Sequence, residues 1–148
     1  MEESILTQTY FQLIAFFGPK ILMAIVCGGI IGFERELKHK AAGIKTNMLI
    51  CAGAALYTAT SVHLSQVFAQ NGFFGDPARL AAQIVSGIGF LGGGAIIQSR
   101  GTVVGLTTAA TIWIVAAIGI CVGLGYYTTA LSSTIMVVGV LVAVTWFE

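Results

Sequence analysis

Charge is what this sequence has least of: Asp, Glu, Lys and Arg together make up only 9% of 148 residues, where a water-soluble domain spends about a quarter. From Gly101 to Phe147 there is none at all. That silence excludes an ordinary soluble domain. Proline is scarce, with 2 residues, so little interrupts a long helix. The 3 cysteines, Cys27, Cys51 and Cys121, lie in apolar stretches without paired spacing, which argues against a disulfide framework and for small packing residues. A net charge of +1 points to no nucleic-acid partner, and a chain this short leaves no room for a separate soluble catalytic module.

What the sequence does have is apolar residues, 57% of the chain, and 19 glycines, a composition common in membrane helices. The charges cluster at the ends of apolar runs, and each run approaches the ~20 residues a helix needs to cross the hydrocarbon. The expected fold is an all-α, single polytopic membrane domain over 1–148, with five spans near 19–38, 47–69, 79–99, 102–124 and 126–147. Tyr126, Tyr127 and Trp146 flank the last span, as interfacial aromatics do. The first span has two readings. It starts at Pro19, where proline suits a first helical turn, or a kinked helix runs through from Tyr10; the start at Pro19 is preferred. Glu2 and Glu3 stand where a cleavable signal peptide would be basic, so none is expected.

Arg35, Lys38, Lys40 and Lys45 crowd the first connection, whereas the segment after the second span holds Asp76 and then Arg79. Positive loops stay in the cytoplasm. The N-terminus is therefore expected outside, with the Arg35 to Lys45 loop, Arg100 and the C-terminal Glu148 inside. The chain also aligns on itself: Gly28-Gly29 matches Gly93-Gly94, Arg35 matches Arg100, and Gly43-Ile-Lys-Thr46 matches Gly105-Leu-Thr-Thr108. Two parallel helical hairpins plus a fifth helix would explain this. Such a repeat sets Gly43 to Thr46 and Gly105 to Thr108 at helix N-termini, which can hold an anion or simply be capped by Thr46, Thr102 or Thr107.

Several residues admit both a bland and a sharp reading. Glu34 lies at the edge of an apolar span, where ionisable groups are usually paired; it is a cation or proton carrier, or an ion pair with Arg35, Lys45 or Arg100. The glycines of the third span suit close packing, and Gly28 with Gly32, Gly89 with Gly93, and Gly119 with Gly123 have the small-xxx-small spacing. They equally suit a broken helix lining a site. Asp76 and Pro77 read as helix-start residues. His63 and Gln83 are polar groups within spans that can hydrogen-bond between helices. No nucleophile-base pair and no nucleotide-binding loop is present, so neither enzymatic activity nor a cofactor is expected.

The blocks Gly29-Ile-Ile-Gly-Phe-Glu-Arg35, Ala42-Gly-Ile-Lys-Thr-Asn47, Arg79-Leu-Ala-Ala-Gln-Ile-Val-Ser-Gly-Ile-Gly-Phe-Leu-Gly92 and Gly105-Leu-Thr-Thr-Ala-Ala-Thr-Ile-Trp113 resemble the MgtC/SapB family of bacterial inner-membrane proteins. The resemblance implies a module associated with survival at low Mg2+ and inside host phagocytes, whose namesake is linked to Mg2+-transport ATPases and regarded as a modulator of the F-type ATP synthase. It also marks this chain as a short form, because that namesake continues into a cytoplasmic C-terminal domain. Carried over, its motif residues are Glu34, Arg35, Gly43, Thr46, Asn47, Arg79, Gln83, Ser86 and Thr107; some members have Asn where Thr107 stands. Two functions follow. One is a non-enzymatic regulator binding a membrane partner, such as an ion-translocating ATPase, through glycine-rich faces. The other is a small oligomeric transporter using Glu34, Gln83, Ser86 and Thr107 between the hairpins. Either sits in a lipid bilayer, and a homo-oligomer is expected.

Overall fold

The computed structural model describes residues 2–72, 75–76, 78–99 and 101–147, with side chains described from residue 9 to 144 except Ser99. Five helices run in the order α1 Glu2–Leu37, α2 Ile44–Gln70, α3 Ala78–Gly94, α4 Leu106–Leu124 and α5 Tyr127–Phe147. The protein is an all-α polytopic membrane protein. Four of the helices are long and apolar enough to cross a bilayer, over Thr9–Leu37, Ile44–Gln70, Leu106–Leu124 and Tyr127–Val144. The fifth, α3, has 17 residues and spans about 26 Å at 1.5 Å per residue.

Two expectations need correction. The first helix does not start at Pro19. α1 passes through it without a break, as membrane helices can when neighbours re-satisfy the freed backbone, and Gly18 beside it meets no atom within 4 Å of a would-be Cβ. The third helix does not reach residue 99, nor does the fourth begin at 102. α3 stops at Gly94, and β1 Ile97–Ser99 pairs antiparallel with β2 Thr102–Val104 in the register Ile97↔Val104, Gln98↔Val103, Ser99↔Thr102. Three successive glycines, poor helix formers, end the helix, and the β-branched residues beyond favour a ladder. Gly101, at φ +86°, supplies the left-handed turn that a tight hairpin needs.

Gly105 then starts α4 at φ +94°, where a Cβ would overlap the Ala95 carbonyl oxygen. No residue but glycine fits there. The helices assemble around a core of small side chains: Ala24, Cys27 and Ile31 of α1, Cys51 and Ala55 of α2, Val115, Ile118 and Val122 of α4 and Ala130 of α5. α1 and α2 run antiparallel at close range. A Cβ on Gly32 would lie 2.6 Å from the Ile44 Cα, and one on Gly28 would strike the Asn47 carbonyl oxygen. α2 and α4 cross as closely, with Gly119 against Cys51 and Gly123 against Ala55 and Thr58. Close backbones are how membrane helices gain packing energy without a hydrophobic driving force between them.

Candidate functional site: a buried polar cluster at one end of the bundle

α1 ends one residue row at Arg35. Gly28 and Gly32 bring that face of α1 onto α2, and Arg35, next on the row, is carried into the same interior. Its side chain is buried, and Nη2 donates to the Thr108 Oγ1 of α4 at 3.0 Å. Thr108 is itself buried, in step with Thr111, Ile112 and Val115 on the inward face of α4. Asn47, in the first turns of α2, has no exposed surface at all. Its Nδ2 donates to the Ala42 carbonyl and, at 3.0 Å, to the Gly43 carbonyl. That clamp holds a connection in which His39 and Ala42 have φ of 53° and 58°, a conformation costly for residues with a Cβ.

Glu34 belongs to the neighbouring row of α1, Lys20, Ala24, Cys27, Ile31 and Glu34, all of them buried. Three atoms of the cluster are buried with no hydrogen-bond partner: Glu34 Oε2, Arg35 Nε and Asn47 Oδ1. Two acceptors and one donor left so are unusual, because buried polar groups are nearly always paired. The surroundings add positive potential, since the N-terminal ends of α2 and α4 converge here with the guanidinium. Glu36, by contrast, has a partner: its Oε2 accepts the Ile44 N–H at 2.9 Å and so caps α2, whose N-cap Gly43 has no side chain to do it. Among the described residues no group of three His, Cys, Asp or Glu could hold a metal ion.

The other candidates are scattered. Lys45 and Thr46 are exposed at the start of α2, and Arg79, Gln83 and Ser86 are exposed on α3. Thr107 is exposed, and its carbonyl accepts from the Thr111 hydroxyl at 2.8 Å; the threonine turned inward is Thr108. Arg100 lies outside the described residues. Gly28, Gly32, Gly119 and Gly123 sit at helix crossings, whereas Gly89 and Gly93 meet nothing within 4 Å. Glu36 and Lys20, which sequence reasoning passed over, carry interactions, as does Thr108, which it read only as part of a helix start. The inward period of α4 could have singled out Thr108, and the heptad from Lys20 to Ala24 and Cys27 could have singled out Lys20. Nothing local marks Glu36 as a cap for a helix eight residues on.

Lys20 closes the far end. Its Nζ donates to the Gly123 carbonyl at 2.9 Å and lies 4.1 Å over the Phe16 ring. A cation at the C-terminal end of α4 meets the negative pole of that helix. α1 is thus tied to α4 at both ends, by Arg35 to its start and Lys20 to its finish.

A family model described as the MgtC family matches residues 21–148. A protein of Haemophilus influenzae described only as uncharacterised is 43% identical over 135 residues, covering 84% of this chain and 57% of its own length. The protein called "Putative magnesium transporter YhiD" in Escherichia coli is 43% identical over 122 residues, 82% of this chain and 56% of its own. Protein MgtC of Salmonella typhimurium is 44% identical over 117 residues, 79% of this chain and 47% of its own. The chain spans about half the length of the curated relatives it matches. No solved structure matches it.

Proposed function

Because this chain belongs to the MgtC family, we propose that it is a non-enzymatic inner-membrane protein of Mg2+ homeostasis that regulates an ion-translocating membrane protein, such as an ATPase, by binding it. The name of one relative, "Putative magnesium transporter YhiD", supplies the Mg2+ link. One observation carries the binding role. On α3 the small residues Ala82, Ser86, Gly89 and Gly93 recur at helical spacing on an exposed face, and Gly89 and Gly93 have open space where a Cβ would stand. At the other glycine pairs of this protein a neighbouring helix fills that space; here the neighbour comes from outside, either a partner helix or a second copy in a homo-oligomer. Orientation is taken from the basic connection around Lys38 and Lys40, placed in the cytoplasm with the N-terminus outside. A glycine ahead of both helix starts, Gly43 before α2 and Gly105 before α4, supports reading α1–α2 and α3–α4 as repeated hairpins.

In-membrane crosslinking from a probe at Ser86, compared with and without Gly93→Leu, tests this reading. The substitution should abolish a discrete heterologous or homotypic adduct without lowering thermal stability. An adduct that survives Gly93→Leu removes the α3 face from the function.

A second reading, a small oligomeric transporter, is favoured by the unpartnered Glu34 Oε2 and Asn47 Oδ1, which could face a passing cation. Against it, Gln83, Ser86 and Thr107 do not join that cluster. Cation flux in proteoliposomes of the purified protein, lost in Glu34→Gln, would make transport the better account.

A further inference from the structure

α3 does not lie flush against α2. Along their shared side runs a trough in two sections, an outer one of about 550 Å3 and an inner one of about 480 Å3, which meet at Leu80 and Gln83. The sections differ in chemistry. Ser61, Ser65, Asp76 and Arg79 give the outer section a polar mouth. The inner section is walled by Leu49, Ile50, Tyr57, Ile84, Ile88 and Leu91, over a floor opened by Gly53 and Gly87.

Within the mouth, two of the polar groups also hold the local backbone. Asp76 Oδ1 accepts the Ala78 N–H at 2.8 Å, capping α3, and Ser65 Oγ donates to the Gly75 carbonyl at 3.2 Å. Arg79 is exposed; its backbone N–H donates to the Asp76 carbonyl, and its guanidinium makes no hydrogen bond or ion pair among the described residues. Read along α3, the trough therefore presents a free guanidinium, then an amide at Gln83, then only hydrocarbon. A phosphate, an ester and an acyl chain follow one another in the same order.

We propose that this trough is a binding site for one bilayer phospholipid, its phosphate against Arg79, its ester region at Gln83 and one acyl chain between α2 and α3. The length suits that occupant. From Leu80 to Leu91 the inner section runs about 16 Å at 1.5 Å per residue, close to the ~15 Å that one leaflet contributes to the hydrocarbon core. The charge fits as well, because arginine binds phosphate with paired, charge-assisted hydrogen bonds. The site lies on the side of α3 that faces α2, apart from the Gly89 and Gly93 face, so it stands or falls separately from the partner-binding reading.

The test uses the full chain, purified and delipidated in detergent, to which phosphatidylglycerol is added while bound lipids are counted by native mass spectrometry. One tightly held lipid per chain is expected. Gly87→Phe should weaken that binding at least tenfold by filling the inner section, and Gly87→Ala should leave it intact. A Cβ at Gly87 or at Gly53 meets nothing within 4 Å, so the backbone accepts a side chain at either position. Gly53→Phe, on the opposite wall, repeats the test should Gly87→Phe not fold. Arg79→Gln should weaken binding about fivefold, the equivalent of one basic residue at a lipid surface. A wild-type chain that holds no lipid overturns the proposal, and so does a Phe variant that binds as the wild type does. Retained lipid with loss of a bound membrane protein in Gly87→Phe would assign the trough to a partner instead, and overturn it too.

Discussion

Replacing helical glycines with alanine one at a time should split them into two groups of opposite sign. In a helix interior alanine is about 1 kcal/mol more favourable than glycine. At Gly139, where a Cβ meets nothing within 4 Å, that gain is expected nearly in full. At Gly123 the same methyl would stand 2.7 Å from the Ala55 carbonyl oxygen and closer still to the Thr58 Cβ; at Gly119 it would stand 2.8 Å from the Ala54 Cβ and strike the Cys51 carbonyl oxygen. These are backbone and near-backbone atoms, so α2 and α4 must separate rather than one side chain rotate. Overpacking of this kind costs about 1–3 kcal/mol, and the backbone partners place it at the upper end. Net of the propensity gain, Gly123→Ala and Gly119→Ala should each lose about 2 kcal/mol. At roughly 3 °C per kcal/mol for a chain of this size, Gly139→Ala and Gly123→Ala should melt about 9 °C apart when followed by circular dichroism in one detergent. Equal melting temperatures would refute the close crossing and with it the account of how the core is held.

Thr108→Val leaves the buried Arg35 guanidinium without its acceptor and should cost about 1.5–3 kcal/mol in thermal or denaturant unfolding, the range for hydrogen bonds to charged groups; Thr108→Ser should recover most of it. Lys20→Met removes the donor to Gly123 and the cation at the end of α4, and should lower stability by about 1–2 kcal/mol in the same assay. With the native cysteines replaced, a single cysteine at position 39 should react with a membrane-impermeant maleimide only after the cells are opened; labelling of intact cells would reverse the topology.

Much of the architecture was legible because hydrocarbon imposes a simple length rule, and charges that bound an apolar run are hard to miss. The ends of α3 and α4 were not. Ala95, Ile96 and Ile97 continue the apolar run past Gly94, and Val103 and Val104 resume it, so hydropathy alone cannot see the ladder that interrupts it. The start of α1 was hidden for the converse reason: Pro19 is a valid first-turn residue and an equally tolerable interior one. At the site, Glu34, Arg35 and Asn47 stood out as polar groups at the margin of apolar segments. Thr107 and Thr108 are chemically alike, and only the packing of α4 decides which of them meets Arg35. The glycine pairs pose the same problem. Gly28 with Gly32 and Gly89 with Gly93 have identical spacing, and spacing cannot say which pair is already covered.

The unequal lengths of the helices bear on the lipid around them. α1, with 36 residues, is about 54 Å long, while α3, with 17, is about 26 Å at the standard rise, short of the ~30 Å hydrocarbon thickness. A bilayer accommodates so short a helix by thinning beside it, by snorkelling of its flanking side chains or by bringing another helix against it, at a fraction of a kcal/mol for each ångström of mismatch. Any helix that comes to rest against α3 relieves that mismatch, so the membrane itself gives the molecule a preferred side from which to be approached.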